Sequence, residues 1–474
     1  MRAIAKLCLE ELKKTQQLQT QTSPLPPPPR IAHNASMKTR IALALMASLT
    51  ALPAPALARL SPAEVKMGKI VDAEQERSIA LLEKLVNQNS GSLNLPGVAK
   101  VGEMMRAELE ALGFAVTWVP MAQAKRAGHI VATHKGNNRG KKMLLIGHLD
   151  TVFEPSSPFQ TFERKGSKGV GPGAADDKGG MVVMLAALRA MQAAGTLKGA
   201  DIEIVLTGDE EDAGDPVEVA RADLIAAGKR ADVALDFEGL SIEDGKDMGS
   251  IARRSSSSWT ISVTAKGGHS SRIFSEEAGD GAIYALARIL RDFRTELPEP
   301  NLTFNVGLIT GGARAGLDAN GIEATASGKT NIMAETAIAR GDLRTLSDEQ
   351  TERVRSKMTD IVARGYPGAK AKIEFGQDGY PAMAPTEGNR ALLGKLNGIN
   401  RDLGLPEMAA LDPLKRGAGD IAFVASDVDG LVGLGPSSTG DHAPGETVDL
   451  ASFPRQAKRA AILMTRLSLE TGAR

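Results

Sequence analysis

Three short, largely apolar runs, at 143–146, 202–206 and 233–237, each stop at a segment carrying acids or histidine. Runs this short that lack the alternation of a half-exposed strand are expected of strands buried on both faces. Such strands need helices on both sides of their sheet, and the apolar stretch 180–194 reads as one of them. Helical spacing at 74–89 and 97–112, with Gly113 closing the second helix, and a strand at 114–119 continue the alternation. The fold class expected is α/β, with a mostly parallel sheet. From about residue 250 the texture changes. A strand at 259–265, a helix at 280–293, a strand at 302–309, two strands within 325–346 and a helix at 347–363 describe an α+β insert with an antiparallel sheet. A closing helix spans 454–469. The division expected is an α/β domain at 59–250 and 376–474, interrupted by a smaller α+β domain at 251–375.

The chain has 474 residues, 57 Lys plus Arg, 57 Asp plus Glu, six His and one Cys. One cysteine excludes a disulfide framework and thiolate zinc sites. Balanced charge argues against a basic nucleic-acid binder.

In open α/β sheets, functional groups gather beyond the carboxyl ends of strands. Five segments fit that placement or join it. Gly147-His148-Leu149-Asp150 follows the first run; a histidine there can ligate a metal while a carboxylate holds its other ring nitrogen. Gly173-Ala174-Ala175-Asp176-Asp177-Lys178 puts two carboxylates at a helix start, where a helix cap is the ordinary alternative. Asp209-Glu210-Glu211-Asp212 is either a cation site or a solvated acidic turn. Asp236-Phe237-Glu238 ends the third run, and Asp441-His442 lies in a distant loop. Jointly, two histidines and several carboxylates match the nitrogen and oxygen donors that zinc accepts. A carboxylate shared between two metals is a reasonable design.

With these motifs in order over about 75–470, the chain resembles the dinuclear zinc exopeptidase and amidohydrolase family that includes carboxypeptidase G, acetylornithine deacetylase and succinyl-diaminopimelate desuccinylase. The resemblance implies that His148 and Glu238 bind one zinc, Glu211 and His442 the other, and Asp176 bridges both. It implies that Asp150 orients His148 and that Glu210 is the general base. Cobalt or manganese would suit the same donors. Gly267-Gly268-His269-Ser270-Ser271 resembles the loop of a lid domain, also the dimerisation domain, whose histidine reaches the partner subunit's site to hold the oxyanion. Asn331 and Arg344 match segments that bind the substrate carboxylate, a task suited to the planar guanidinium fork. Carboxypeptidase G has an Arg before the Pro that follows the lid, whereas this chain has Tyr380-Pro381. It also carries Arg253 and Arg254, either replacement positive charge or the solvated edge of a strand. His129 and His134 read as structural.

The function expected is therefore hydrolysis of an amide bond beside a free carboxylate, in a glutamate-carboxypeptidase-like exopeptidase acting on small peptides or N-acyl amino acids. Alternatives are an N-acyl amino acid deacylase, an exo-acting poly-aspartate hydrolase and, more distantly, a non-catalytic periplasmic binding protein. No nucleic acid or membrane partner is expected of the mature form, and a homodimer through the lid is.

Residues 1–36 read as an extension with a proline run, and 37–58 as a signal peptide: Lys38 and Arg40, an apolar run, then Ala56-Leu57-Ala58. A periplasmic or secreted protein is expected, with Met37 as its start. The single cysteine, Cys8, falls in the extension. Mass spectrometry of the purified native protein is expected to find no peptide from residues 1–36; any such peptide contradicts the assigned start.

Overall fold

The computed structural model describes residues 60–471 except Asn138 and Asp378, so the expected extension and signal peptide lie outside the described residues. The main helices are α1 (Pro62–Ala73), α2 (Gln75–Val86), α3 (Leu95–Ala111), α4 (Lys178–Ala194), α5 (Ala222–Gly228), α6 (Gly281–Glu296), α7 (Asp348–Ala363), α8 (Glu387–Asp402) and α9 (Ser452–Leu467). The main strands are β1 (Ala115–Pro120), β2 (Gly128–His134), β3 (Met143–His148), β4 (Ile202–Thr207), β5 (Val233–Asp236), β6 (Ser257–Ala265), β7 (Thr303–Gly312), β8 (Thr336–Arg344), β9 (Ala369–Phe375) and β10 (Gly430–Leu431).

The first sheet runs β1-β2-β4-β3-β5-β10. Its β4, β3, β5 and β10 are parallel, and β1 and β2 add an antiparallel edge. The missing alternation in β3 has a direct cause. Met143 and Leu145 enter a core with the helices α1–α4, α8 and α9, while Leu144 and Ile146 enter a second core on the opposite face. Helix α4 is buried at every position from Lys178 to Met191. Each fully buried Leu, Met or Val there contributes about 1.5–3 kcal/mol relative to exposure. Gly180 lets the helix approach β5 closely, since a Cβ there would lie 2.0 Å from the Phe237 carbonyl oxygen.

The second sheet, β7-β8-β6-β9, is antiparallel. Trp259, Ile261 and Val263 alternate onto one face and share a separate core with α6 and α7. Two expected strands within 325–346 separate here: β8 joins this sheet, but Ala324–Ser327 pairs with Arg314–Leu317 in a sheet of its own. The chain crosses between the two sheets twice, and the crossings pair through Arg253 with Met383 and Ser256 with Tyr380. Helix α1, strand β9 and helix α8 are further elements: β9 alternates strictly, with Ala369, Ala371, Ile373 and Phe375 toward the core, and α8 buries Leu392, Leu393, Leu396 and Ile399 along one face. Helix α1 starts on a capping box formed by Ser61 and Glu64.

Histidine 129 on β2 is structural, as expected, but it sits behind the acidic run. Its Nδ1 accepts the Gly208 N–H at 3.0 Å, so Nε2 carries the proton, 2.9 Å from the Ala220 carbonyl oxygen. Burial holds this imidazole neutral, below its ordinary pKa of 6.5. The unfolded chain takes up a proton that the fold refuses. The stability is thus fully present above that value and is lost as pH falls through the lower folded pKa. Urea midpoints are expected to fall below about pH 6.5 in the native sequence, and His129→Gln to flatten that part of the profile. An unchanged slope contradicts the assignment.

Candidate metal centre

The register of the first sheet brings three of the five segments to one edge. His148 lies opposite Thr207 and Ile146 opposite Asp236, so the residues after β3, β4 and β5 emerge together. His148 Nδ1 faces Asp150, 3.2 Å from its carbonyl oxygen and 3.3 Å from Oδ1. That leaves Nε2 for Asp176 Oδ1 at 2.9 Å. The other oxygen of Asp176 lies 3.0 Å from His442 Nε2, which is 3.1 Å from Glu211 Oε2. Donor atoms of His148, Asp176 and Glu211 all lie within 4.8 Å of one another.

These residues fit a divalent metal. They offer nitrogen and oxygen donors and no thiolate, which suits zinc and tolerates cobalt or manganese. Glu211 Oε1 is buried without a hydrogen-bond partner, a position that a cation would satisfy. The protonation pattern agrees. Burial pushes Asp176 up, yet its hydrogen bonds with His148 and His442 overcome this and hold it below the usual carboxylate range. Hydrogen bonds to Asp176 and Glu211 push His442 up to about 11. Burial pushes Glu211 up to about 7, and burial with the nearby Glu238 raises Glu210. A crowd of carboxylates is drawing positive charge onto the imidazoles.

Glu238 stands apart from this group. Its Oε1 lies 2.5 Å from Arg253 Nη1 and its Oε2 3.3 Å from Arg416 Nη2. The first contact is an ion pair without hydrogen-bond alignment, since Arg253 Nη1 has no hydrogen-bond partner. Here two guanidinium groups supply the positive charge beside Glu238. Arg253 also donates to the carbonyls of Gly417 and Ala418, and it is buried. Arg254 instead reaches Thr303 Oγ1 at 2.6 Å. Of the two readings of this pair, the solvated strand edge therefore fails for Arg253. A cleft of about 830 Å³ adjoins the cluster, lined among others by Asp176, Glu238, Arg253, Arg416, Asp441 and His442.

Supporting residues were less legible. Glu446 accepts the N–H groups of Gly173, Ala175 and Asp176 at 3.3, 2.7 and 3.1 Å, and so shapes the loop that presents Asp176. Its only sequence signal was an acid four residues beyond His442. Asp177 precedes α4 but makes no side-chain cap; its Oδ2 accepts the His148 N–H at 3.3 Å. Asp150 does more than face His148. Its carboxylate accepts the N–H groups of Glu210 and Glu211 at 3.0 and 3.1 Å.

His269, Asn331 and Arg344 belong to the inserted segment that carries the second sheet. Ser270 donates to the Asn331 carbonyl at 2.9 Å, and His269 bridges Ile332, so His269 and Asn331 are neighbours. His269 is exposed and its Nδ1 pairs with Ser271 Oγ at 2.8 Å. Arg344 ends β8 beside Asp342, at 3.0 Å. Among the described residues, no hydrogen bond or ion pair joins these three to the cluster in the same subunit.

Residues 144–466 match Peptidase family M20/M25/M40. The chain is 30% identical over 409 residues to carboxypeptidase G2 of Pseudomonas sp. (strain RS-16), covering 84% of this chain and 90% of that protein. The fold is similar to a tripeptidase from Staphylococcus aureus, with a TM-score of 0.66 at 19% identity, covering 83% of this chain and 98% of that one. It is also similar to the YxeP protein of Bacillus subtilis, a dinuclear metal-binding peptidase of the M20 family, with a TM-score of 0.58 at 17% identity over 84% of this chain and 99% of that one. A catalytic α/β layer carrying a histidine and carboxylate cluster, with a separate antiparallel sheet, makes this chain a metallohydrolase that belongs to peptidase family M20/M25/M40.

Proposed function

We propose that this chain is an exported, two-zinc exopeptidase that hydrolyses an amide bond next to a free carboxylate, with small peptides or N-acyl amino acids as substrates. The observation that carries this reading is the arrangement around Asp176, with one oxygen on His148, the other on His442, and Glu211 beside it. His148, Asp176, Glu211, His442 and Glu238 would hold the two ions, Glu238 in place of its ion pairs with Arg253 and Arg416. Zinc in such a site supplies positive charge that polarises the scissile carbonyl and makes water acidic near neutral pH.

The chain's own groups do the rest. Glu210 takes a proton from the attacking water and delivers it to the leaving amine. Asp150 orients His148. Arg344 and Asn331 hold the substrate carboxylate, and His269 donates to the oxyanion. Among the described residues no hydrogen bond or ion pair joins the lid group to its own cluster, and His269 acts in the partner's site across a homodimer. The edge strand β7 supports that assembly: Ile309 is 58% exposed, and Ile283 and Tyr284 on α6 are 47% and 52% exposed. Residues 59–250 and 376–474 form the catalytic domain and 251–375 the lid. The signal-like segment at 37–58 supports export to the periplasm or beyond, and no helix among the described residues is long and apolar enough to cross a membrane.

Chelation is expected to abolish hydrolysis of dipeptides ending in Glu or Asp, or of N-acyl amino acids, and added zinc to restore it. Activity indifferent to chelators contradicts the reading. Glu210→Gln is expected to retain metal while kcat falls by about 10²–10⁴; near-normal turnover removes it as the base. Mixing inactive Glu210→Gln and His269→Ala subunits should recover roughly a quarter of the native rate, because each mixed dimer rebuilds one intact site. No recovery on mixing would place His269 in its own subunit's site.

A further inference from the structure

Behind the acidic run lies a buried network that none of the metal chemistry uses. Arg221, just before α5, is fully buried between two carboxylates. Its Nη1 donates to Asp209 Oδ1 at 2.6 Å and its Nε to Asp420 Oδ1 at 2.8 Å. Its Nη2 donates to the Asp209 carbonyl at 3.0 Å and to the Tyr380 hydroxyl at 2.7 Å. The remaining oxygens are also taken: Asp420 Oδ2 by the Thr207 hydroxyl at 2.5 Å and Asp209 Oδ2 by the Gly214 N–H at 2.7 Å. The guanidinium also lies over the rings of Tyr380 and Phe423, at 5.6 and 5.4 Å. A fully satisfied buried network of this kind is rigid.

The network has one outlet. A guanidinium can only donate, so the Tyr380 oxygen accepts from Arg221 and the phenol's single proton must go elsewhere. It goes to the backbone carbonyl of Glu210, at 2.7 Å. We propose that Tyr380 is a positioning residue, whose hydroxyl, held by buried Arg221, pins the Glu210 backbone and thereby aims its side chain.

The opposite side of the same turn is already held by Asp150, which accepts the N–H groups of Glu210 and Glu211. Asp150 grips the turn by its donors and Tyr380 grips it by its acceptor. Two adjacent glutamates with different tasks need such a clamp, since rotating the turn would shift both side chains relative to the cluster. The brace comes from the crossing strands. Tyr380 and Ser256 exchange both backbone hydrogen bonds, at 2.8 and 3.0 Å, where the chain passes between the two sheets. Tyr380 thus takes the position before Pro381, where the sequence departs from carboxypeptidase G, and turns it inward toward the turn.

The inference rests on Glu210 as the general base, and the test separates the two. Tyr380→Phe keeps the ring packed on Arg221 and Phe423 and removes only the hydroxyl. In the zinc-loaded, full-length protein, kcat is expected to fall about tenfold, with KM within about twofold and metal content unchanged. In the metal-free protein, amide hydrogen exchange in residues 207–214 is expected to accelerate while 143–149 stays as in the native sequence. Unchanged exchange in 207–214 overturns the brace, and so does faster exchange spread equally over both segments, which is general loosening. A kcat that stays at the native level overturns its role in aiming Glu210. If the native protein hydrolyses none of the substrates, the functional reading fails, and the exchange measurement still decides whether Tyr380 holds the turn.

Discussion

One carboxylate, Asp176, organises the histidine and carboxylate cluster at the sheet edge. It faces a histidine with each oxygen, and those histidines come from the end of β3 and from a loop more than 290 residues later. Holding it there takes a second carboxylate. Glu446 gathers three backbone N–H groups of the Asp176 loop, so the loop's shape depends on a buried acid from the same distant segment that supplies His442. The cluster is thus closed by long-range contacts and could not form from any local piece of the chain.

Crowding acids in a buried place is unfavourable unless positive charge enters. The protein answers in two ways. Around Asp176 the histidines take up charge, with His442 pushed up to about 11 by its hydrogen bonds to Asp176 and Glu211. Around Glu238, Arg253 and Arg416 do so with permanent charge. Behind both, Arg221 neutralises Asp209 and Asp420 and never reaches the cleft. His442, Arg253 and Arg416 line the cleft, while the Arg221 network is buried behind the acidic turn.

Much of this was legible in the sequence because strand ends are local features. The largely apolar runs located β3, β4 and β5, and their termini placed His148, Glu211 and Glu238 at one edge before any coordinates were needed. The lid sheet was legible for a similar reason: Trp259, Ile261 and Val263 alternate as a half-buried strand must. Glu446, Arg221 and Asp420 were not legible. A lone acid in a loop or an arginine at a helix start has the same local signature on any protein surface, and only its burial beside a distant partner marks it. Glu238 carries a related lesson, since the motif identified the residue while the fold turned it toward Arg253, an arginine whose place the motif left open.

The sequence by itself determined which residue types could hold a metal and which strands would carry them, because periodicity and donor chemistry are properties of short segments. The tertiary structure decided how they meet. It closed His442 onto Asp176, set Asp150 and Tyr380 on opposite sides of the Glu210 backbone, and brought His269 and Asn331 together. Each of those outcomes is a contact between groups far apart in the chain. Its energy depends on desolvation and hydrogen-bond geometry that exist only once both sheets have folded.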